Sequence, residues 1–529
     1  MKKSFNIDGI CYPDEHYMVN LEERLREIKK FVDGQKYFVI NRARQYGKTT
    51  MLHGLTQAMK EQYLIFSISF EGIGNFAYTD ESTFCRKFFG LLYDTMFYGE
   101  VSGISDLMKE ECHRLSLEES KGADFRGISN YISRLCMESK KPVVLIVDEV
   151  DQASNQEVFL EFLGMLRDKY LKRKKRPTFQ SVILAGVYDI KNLKLKIRKD
   201  SEQQYNSPWN IAAKFSVDMS FSEIDIAGML QEYEVDHRTG MDIKAVSHYI
   251  YEYSSGYPFL VSFICKMIDE GCEDLNDFVH QKWSREGVSS AIKTLLKEPN
   301  TLFEDMIKHL TEYPELSHML QNILFNGWTY PYNIYNREIS IGTMFGFIIE
   351  NDGNVSIANR IFETHLYNYF LSEELSKRQN GKIELPDKNQ FVEDGYLNME
   401  LVMKKFAEYY SEIYQDYDEK FLEENGRRIF LMYLKPIING TGNYYIEAQT
   451  RNKQRTDIIV DYRGRQYVVE MKIYRGDEYN RKGERQLAGY LDAYQLNKGY
   501  LLSFNFNKNK ICSVEEMNCG GKTIFEVVV

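Results

Sequence analysis

Residues 37–50, Tyr-Phe-Val-Ile-Asn-Arg-Ala-Arg-Gln-Tyr-Gly-Lys-Thr-Thr, constrain this chain more than any other stretch. The apolar start reads as a buried strand, the middle as a loop, and the end as the opening of a helix. Gly47-Lys48-Thr49 is the second half of a phosphate-binding loop. In such a loop backbone N–H groups cradle phosphates, the lysine reaches the β- and γ-phosphates, and the hydroxyl ligates Mg²⁺. The following helix aims its positive end at the same anion. The expected nucleotide contacts are Arg42, Ala43, Arg44, Gln45, Tyr46, Gly47, Lys48, Thr49 and Thr50. A chain built around such a loop needs a second, acidic strand, a lid, and something for the nucleotide to drive.

The acidic strand is Pro142-Val-Val-Leu-Ile-Val-Asp-Glu149. A continuous apolar run marks a strand buried on both faces, as in parallel sheets. Its carboxyl end is where such sheets bind ligand. Asp148 is expected to hold Mg²⁺ beside Thr49, and Glu149 to polarise the attacking water. Asp151 reads as a loop carboxylate. Strands near 37–41, 63–70, 143–148 and 181–186 alternate with helical patterns, which predicts a doubly wound parallel sheet. Asn20 with Glu23 forms a capping-box pattern ahead of the first helix. Between the third and fourth strands lies Lys169–Arg176, six basic residues of eight. It reads as a solvated helix end or as a phosphate contact.

At 529 residues the chain exceeds one core, and about three to four domains are expected. The pattern divides it into an ATPase core at 1–222, a helical lid and winged-helix region at 223–376, a polar linker at 377–395, and a last domain at 396–529. In the second of these, Gly256-Tyr-Pro opens an apolar helix and helices follow near 301–311 and 315–325. Then Asp352-Gly353 sits between two apolar runs, a strong hairpin signal. Helices, hairpin and a further helix from Arg360 predict a winged helix, which in other proteins serves either as a DNA reader or as a lid.

The last domain holds a second constellation. Arg455-Thr-Asp-Ile-Ile-Val-Asp-Tyr462 and Gln466-Tyr-Val-Val-Glu-Met-Lys-Ile473 flank Arg463-Gly464, which predicts a hairpin. Glu470 and Lys472 are two apart and face one side of their strand, with Asp457 on the neighbouring strand. Two carboxylates and a lysine in this arrangement can bind Mg²⁺ and activate water, and the lysine can stabilise a pentavalent phosphate. A cross-strand ion pair in an ordinary hairpin explains the same spacing. Gln486 and Tyr490 share a helix face. From Arg451 to Arg485 ten Lys/Arg stand against six Asp/Glu, a local positive patch in a chain of net charge −10. That negative total excludes a bulk attraction to nucleic acid.

Together these motifs resemble a prokaryotic family of AAA-ATPase-like proteins with a C-terminal PD-(D/E)XK nuclease domain. The resemblance runs through Asn41–Thr49, Val147-Asp-Glu-Val-Asp151, Ser207-Pro-Trp-Asn210, Ala358–Glu363, Glu423–Phe430, Arg455-Thr-Asp457, Glu470-Met-Lys472 and Gln486 with Tyr490. It implies a multi-domain α/β architecture in which ATP and Mg²⁺ are cofactors and nucleic acid is the partner of the C-terminal domain. It places Asp457 and Glu470 on metal positions, Lys472 and Gln486 on catalytic ones, and Glu424 (or Glu423) as a helix acid. One departure is clear. Arg42 occupies the first glycine position of the phosphate loop, where glycine supplies unusual dihedrals.

Two functions are therefore in play: an ATP-regulated, Mg²⁺-dependent nuclease, and an ATP-dependent switch or scaffold whose C-terminal domain binds without cleaving. Eight scattered cysteines without metal spacing predict reduced thiols. No apolar run reaches a bilayer's width, and the N-terminus lacks an apolar leader. The expected setting is the cytoplasm, without a membrane partner and with homo-oligomers possible.

Overall fold

The computed structural model describes residues 2–117, 122–153, 156–187, 209–271, 282–326, 328–377, 388–413, 423–438, 442–446, 458–474, 477–505 and 513–529. They form two compact units. The first is Met1–Asp236 with Gly256–Ser262 and Met344–Gly346; the second is His237–Ser255, Phe263–Thr343 and Phe347–Val529. These units do not follow the sequence divisions at 222, 376 and 396.

The first unit opens with α1 (Glu22–Asp33), β1 (Phe38–Asn41), α2 (Lys48–Met59) and β2 (Leu64–Ser69). It continues with α3 (Glu81–Phe97), α4 (Asp106–Ser116), α5 (Phe125–Glu138), β3 (Val143–Asp148), α6 (Glu157–Leu171), β4 (Ser181–Gly186) and α7 (Glu223–His237). The four strands make one sheet in the order β1-β4-β3-β2. All pairs are parallel, with Phe38 opposite Ile183, Val144 opposite Ser181 and Leu64 opposite Val143. Every residue of β3 and β4 is buried. Alternate side chains go to opposite faces. Val143, Leu145 and Val147 join a core with Phe84, Phe88 and Phe162. Val144 and Ile146 join another with Ile28, Met51 and Leu55. This is a P-loop NTPase-like α/β fold, with β4 between the loop strand β1 and the acidic strand β3. α1 begins at Glu22, one residue later than the capping box implies. Leu21 is its N-cap without a side-chain bond, and Asn20 Oδ1 instead accepts the Glu22 N–H at 2.8 Å.

The second unit holds α8 (Ile243–Ser254), much of α9 (Pro258–Glu270), α10 (Arg285–Lys297), α11 (Thr301–Glu312), α12 (Pro314–Asn326) and nearly all of α13 (Arg337–Met344). The antiparallel hairpin β5 (Ile348–Asn351) and β6 (Asn354–Ile357) follows, then α14 (Arg360–Lys377). Asp352 and Gly353 have φ of 48° and 81°, the two positive values that a tight hairpin turn requires. Pro331 forms an isolated antiparallel bridge to Asn354 beside this hairpin. The stretch expected as linker carries structure from Lys388: a 3-10 turn ending in the buried Phe391, then β7 (Val392–Glu393) and β8 (Tyr396–Leu397).

α15 (Met399–Ile413), α16 (Glu423–Ile438), β9 (Gly442–Ile446), β10 (Ile458–Tyr462), β11 (Arg465–Ile473), α17 (Asp477–Ala493), β12 (Lys498–Phe504), β13 (Ser513–Cys519) and β14 (Lys522–Val528) close the chain. Their sheet is mixed, in the order β13-β14-β12-β11-β10-β9. The hairpin forms as read, with Ile458 opposite Val469 and a turn at Arg463-Gly464, φ 50° and 78°. One feature was not legible. Asp461 is fully buried. It accepts the Gly464 N–H at 3.1 Å and the Tyr253 hydroxyl at 3.4 Å. Burial pushes its carboxyl up, opposed by Arg285 and Lys293 of α10. This network joins the hairpin to α8 and α10 inside the unit.

Candidate functional site

The phosphate loop runs from the end of β1 into α2. Gly47 is the N-cap of α2 with φ 74°, and Gln45 has φ 54°. Arg42 is not among the positive-φ residues. The unusual dihedrals thus fall at 45 and 47, and the first glycine position tolerates a side chain. The Arg42 guanidinium does not enter the loop's concavity. It donates to Val217 O at 2.8 Å and Asn41 O at 2.9 Å and lies 5.2 Å over the Phe215 ring. In this conformation its side chain anchors the loop's base. Arg44 is exposed.

Lys48 is buried, with Nζ donating to the carbonyls of Arg42 at 3.1 Å and Ala43 at 2.9 Å. Burial pulls its pKa down, against the pull of Glu149, Asp151 and Asp148. The ammonium is curled into its own loop, where an anion would draw it outward. Thr49 Oγ1 donates to Asp148 Oδ2 at 3.0 Å. A hydroxyl and a carboxylate at this separation fit Mg²⁺, which takes few protein oxygens and keeps several waters. Glu149 has φ 53°, and its N–H donates to Asp148 Oδ1 at 2.9 Å. Burial raises the Glu149 carboxyl, opposed by Lys48, a setting suited to a general base.

Three residues outside the expected set support this loop. Asp151 accepts the Val187 N–H at 2.6 Å and thereby ties the exit of β3 to the exit of β4. A Cβ at Gly186 would lie 2.8 Å from its carboxylate. Tyr257 donates its hydroxyl to Arg44 O at 2.5 Å and meets the Tyr46 ring edge-on at 4.7 Å. Gly346 has φ +73°, and a Cβ there would lie 2.8 Å from the Ala43 Cβ. Glycine and proline around Tyr257 were the only sequence signal, and they read as a helix start. The loop contact arises from tertiary packing.

On the C-terminal sheet, Glu470 is buried and Lys472 Nζ sits 3.0 Å from Glu470 Oε1. Gln486 donates to the Tyr490 hydroxyl on α17, and a Cβ at Gly483 of the same helix would meet the Lys472 stem at 3.3 Å. Glu423 and Glu424 are the first two residues of α16. Asp457 lies outside the described residues. The structure therefore brings Glu470 and Lys472 together and leaves the remaining members of that constellation as expectations. Among the described residues no cluster of three or more His, Cys, Asp or Glu side chains stands ready for a metal, and no helix is long and apolar enough to cross a membrane.

Residues 20–370 match a family described as AAA-like domain. Among solved structures, the chain is similar to a Walker-type ATPase of Pyrococcus abyssi at 13% identity and TM-score 0.47, over 69% of this chain and 99% of that one. It is similar to the ORC2 protein of Aeropyrum pernix at 12% and 0.35, over 67% and 93%. It is similar to the RuvB Holliday junction branch migration motor of Thermotoga maritima at 11% and 0.31, over 64% and 92%. No curated protein matches.

Proposed function

The chain belongs to the AAA-like domain family, and from that premise we propose a P-loop ATPase whose nucleotide cycle drives a Mg²⁺-dependent, nuclease-like C-terminal domain acting on nucleic acid. The observation that carries the ATPase part is the convergence of Lys48, Thr49 and Asp148 at the carboxyl end of the sheet, with Thr49 and Asp148 at 3.0 Å. Backbone N–H groups at Gly47–Thr49 receive the phosphates, and Lys48 leaves its carbonyls to meet them. Thr49 and Asp148 would hold Mg²⁺, which would supply charge neutralisation at the transferring phosphoryl group. Glu149 takes the proton of the attacking water.

The nuclease part is supported by Glu470 and Lys472 in contact on one strand and by the local positive patch from Arg451 to Arg485. In this reading Asp457 and Glu470 bind Mg²⁺, with Glu424 and Gln486 assisting, and Lys472 stabilises the phosphate under attack. The metal, when bound, lowers the pKa of its water. A second reading, a switch whose C-terminal domain binds a partner without cleaving, is favoured by the ion pair itself. A lysine held by the carboxylate it should assist is also what an inert hairpin shows.

One pair of variants separates these readings. Lys48→Ala is expected to abolish ATP hydrolysis. Glu470→Gln is expected to abolish cleavage while ATP hydrolysis continues. If wild-type protein with Mg²⁺ or Mn²⁺ cuts no single-stranded, duplex or branched DNA or RNA, with or without ATP, the nuclease assignment is withdrawn and the ATPase stands alone.

A further inference from the structure

The winged helix of the second unit is built as such modules are, yet its surface chemistry is wrong for DNA. Its helices α11, α12 and α13 lead into the wing, where Tyr332 N–H donates to Gly353 O and Val355 N–H to Tyr330 O, both at 2.8 Å. In a DNA reader α13 and the wing tip would face phosphates, whose neutralisation by Lys and Arg supplies most of the affinity. From Trp328 to Ile357 there is no lysine and a single cation, Arg337, against the carboxylates Glu338, Glu350 and Asp352. The exposed side chains beside them are large and apolar. Trp328 is 54% exposed, Ile334 47%, Tyr335 94% and Ile349 43%. Exposed aromatic and aliphatic side chains interspersed with carboxylates are the composition of a protein interface, in which Tyr and Trp act as anchors and charges help select the partner.

The first unit carries the complementary surface. After α6, Lys172-Arg-Lys-Lys-Arg176 is five cations in a row, all exposed, preceded by Leu171 at 60% exposure. The sixth basic residue of this stretch, Lys169, is not part of the surface. It is buried and donates to Ser129 O at 2.8 Å and Ser133 Oγ at 2.7 Å. Lys169 therefore ties the end of α6 to α5, and of the five exposed cations after it Lys172 pairs with Asp168 at 2.6 Å and Arg173 lies 3.9 Å over the Tyr170 ring. In a chain of net charge −10, the carboxylates of a second copy offer this run of cations a partner of opposite sign.

We propose that the winged helix is a self-docking surface whose occupant is the basic turn Leu171–Arg176 of a second copy of this chain. The two surfaces differ, so the contact is head-to-tail and generates a ring or an open chain rather than a two-fold dimer. The carboxylates steer the turn, and Tyr335 and Trp328 receive Leu171 and the arginine planes.

The test is sedimentation velocity on the full chain at low and high salt. Wild type self-associates, and salt weakens the association. Glu338→Lys with Glu350→Lys and Asp352→Lys weakens it roughly tenfold or more; Lys172→Glu with Arg173→Glu and Lys174→Glu does the same. An equimolar mixture of the two charge-reversed proteins associates again, because each now offers what the other lacks. Tyr335→Ser weakens association without changing its salt dependence. Thermal melts matching wild type show that each variant is folded. A wild type that stays monomeric at low salt overturns the proposal, as does a mixture of folded variants that fails to associate. Duplex DNA binding by wild type that Tyr335→Ser abolishes would overturn it too, and would return the winged helix to the role of a DNA reader.

Discussion

Gly346→Ala isolates the contact between the phosphate loop and the residue ahead of the wing. Gly346 has φ +73°, and its added methyl would sit 2.8 Å from the Ala43 Cβ. A left-handed backbone costs an L side chain about 1–2 kcal/mol, and overpacking a tight contact costs about 1–3 kcal/mol. The expected destabilisation is therefore about 2–5 kcal/mol. At about 2–4 °C per kcal/mol for a unit of this size, the unfolding midpoint falls by about 10 °C. Gly353→Ala is the internal control. Its φ is +81° but nothing lies within 4 Å of the added Cβ, so it should lose only about 1–2 kcal/mol. The double-mutant cycle with Ala43→Gly then separates the two costs. Removing the Ala43 methyl should recover about 1–3 kcal/mol in the Gly346→Ala background and leave the backbone strain in place. Because Ala43 O also accepts from Lys48, Gly346→Ala should weaken nucleotide binding along with stability. Equal losses for Gly346→Ala and Gly353→Ala, or no recovery from Ala43→Gly, would refute the packing argument. Melting curves and nucleotide titrations on wild type and these four variants decide it.

Three further outcomes follow from the geometry. Lys48→Ala should reduce ATP turnover by at least about a hundredfold, measured as phosphate release, while the fold persists because the lysine's partners are its own loop carbonyls. His365 is partly buried against Phe303, ring centroids 3.9 Å apart, and desolvation lowers its pKa to about 4. Its folded pKa lies below the unfolded value of 6.5, so the native state holds fewer protons between the two. The stability it contributes is complete above pH about 6.5 and is lost as pH falls toward 4, about 3 kcal/mol in all; His365→Phe should flatten that slope in denaturant titrations. On the proposed nuclease reading, Glu470→Gln should remove metal-dependent cleavage with ATP hydrolysis unchanged, and a Glu470→Gln protein that still cuts would move the catalytic carboxylate elsewhere.

The sequence by itself determined the first unit's sheet and the loop on its edge. Strands buried on both faces must be continuous apolar runs, and Val143–Val147 and Ser181–Gly186 carry that signal in their own residues. Gly47-Lys48-Thr49 and Asp148-Glu149 are equally local, since a phosphate loop and an acidic strand end are each specified within a few residues. The Asp352-Gly353 and Arg463-Gly464 turns were legible for the same reason: their dihedrals need particular residue types at adjacent positions. Tertiary structure alone decided where Arg42 points, because its guanidinium is satisfied by Val217 and Phe215, some 175 residues on. It alone placed Gly346 and Tyr257 on the loop, and it alone paired the buried Asp461 with Arg285 and Lys293. A charged residue in a hairpin reads as solvent-facing until the helices that cover it are known. The region from α11 to β6 divides the same way. Its order of helices and strands is in the sequence, but which side chains remain exposed, and hence that its face is acidic and aromatic, depends on which others the fold has buried.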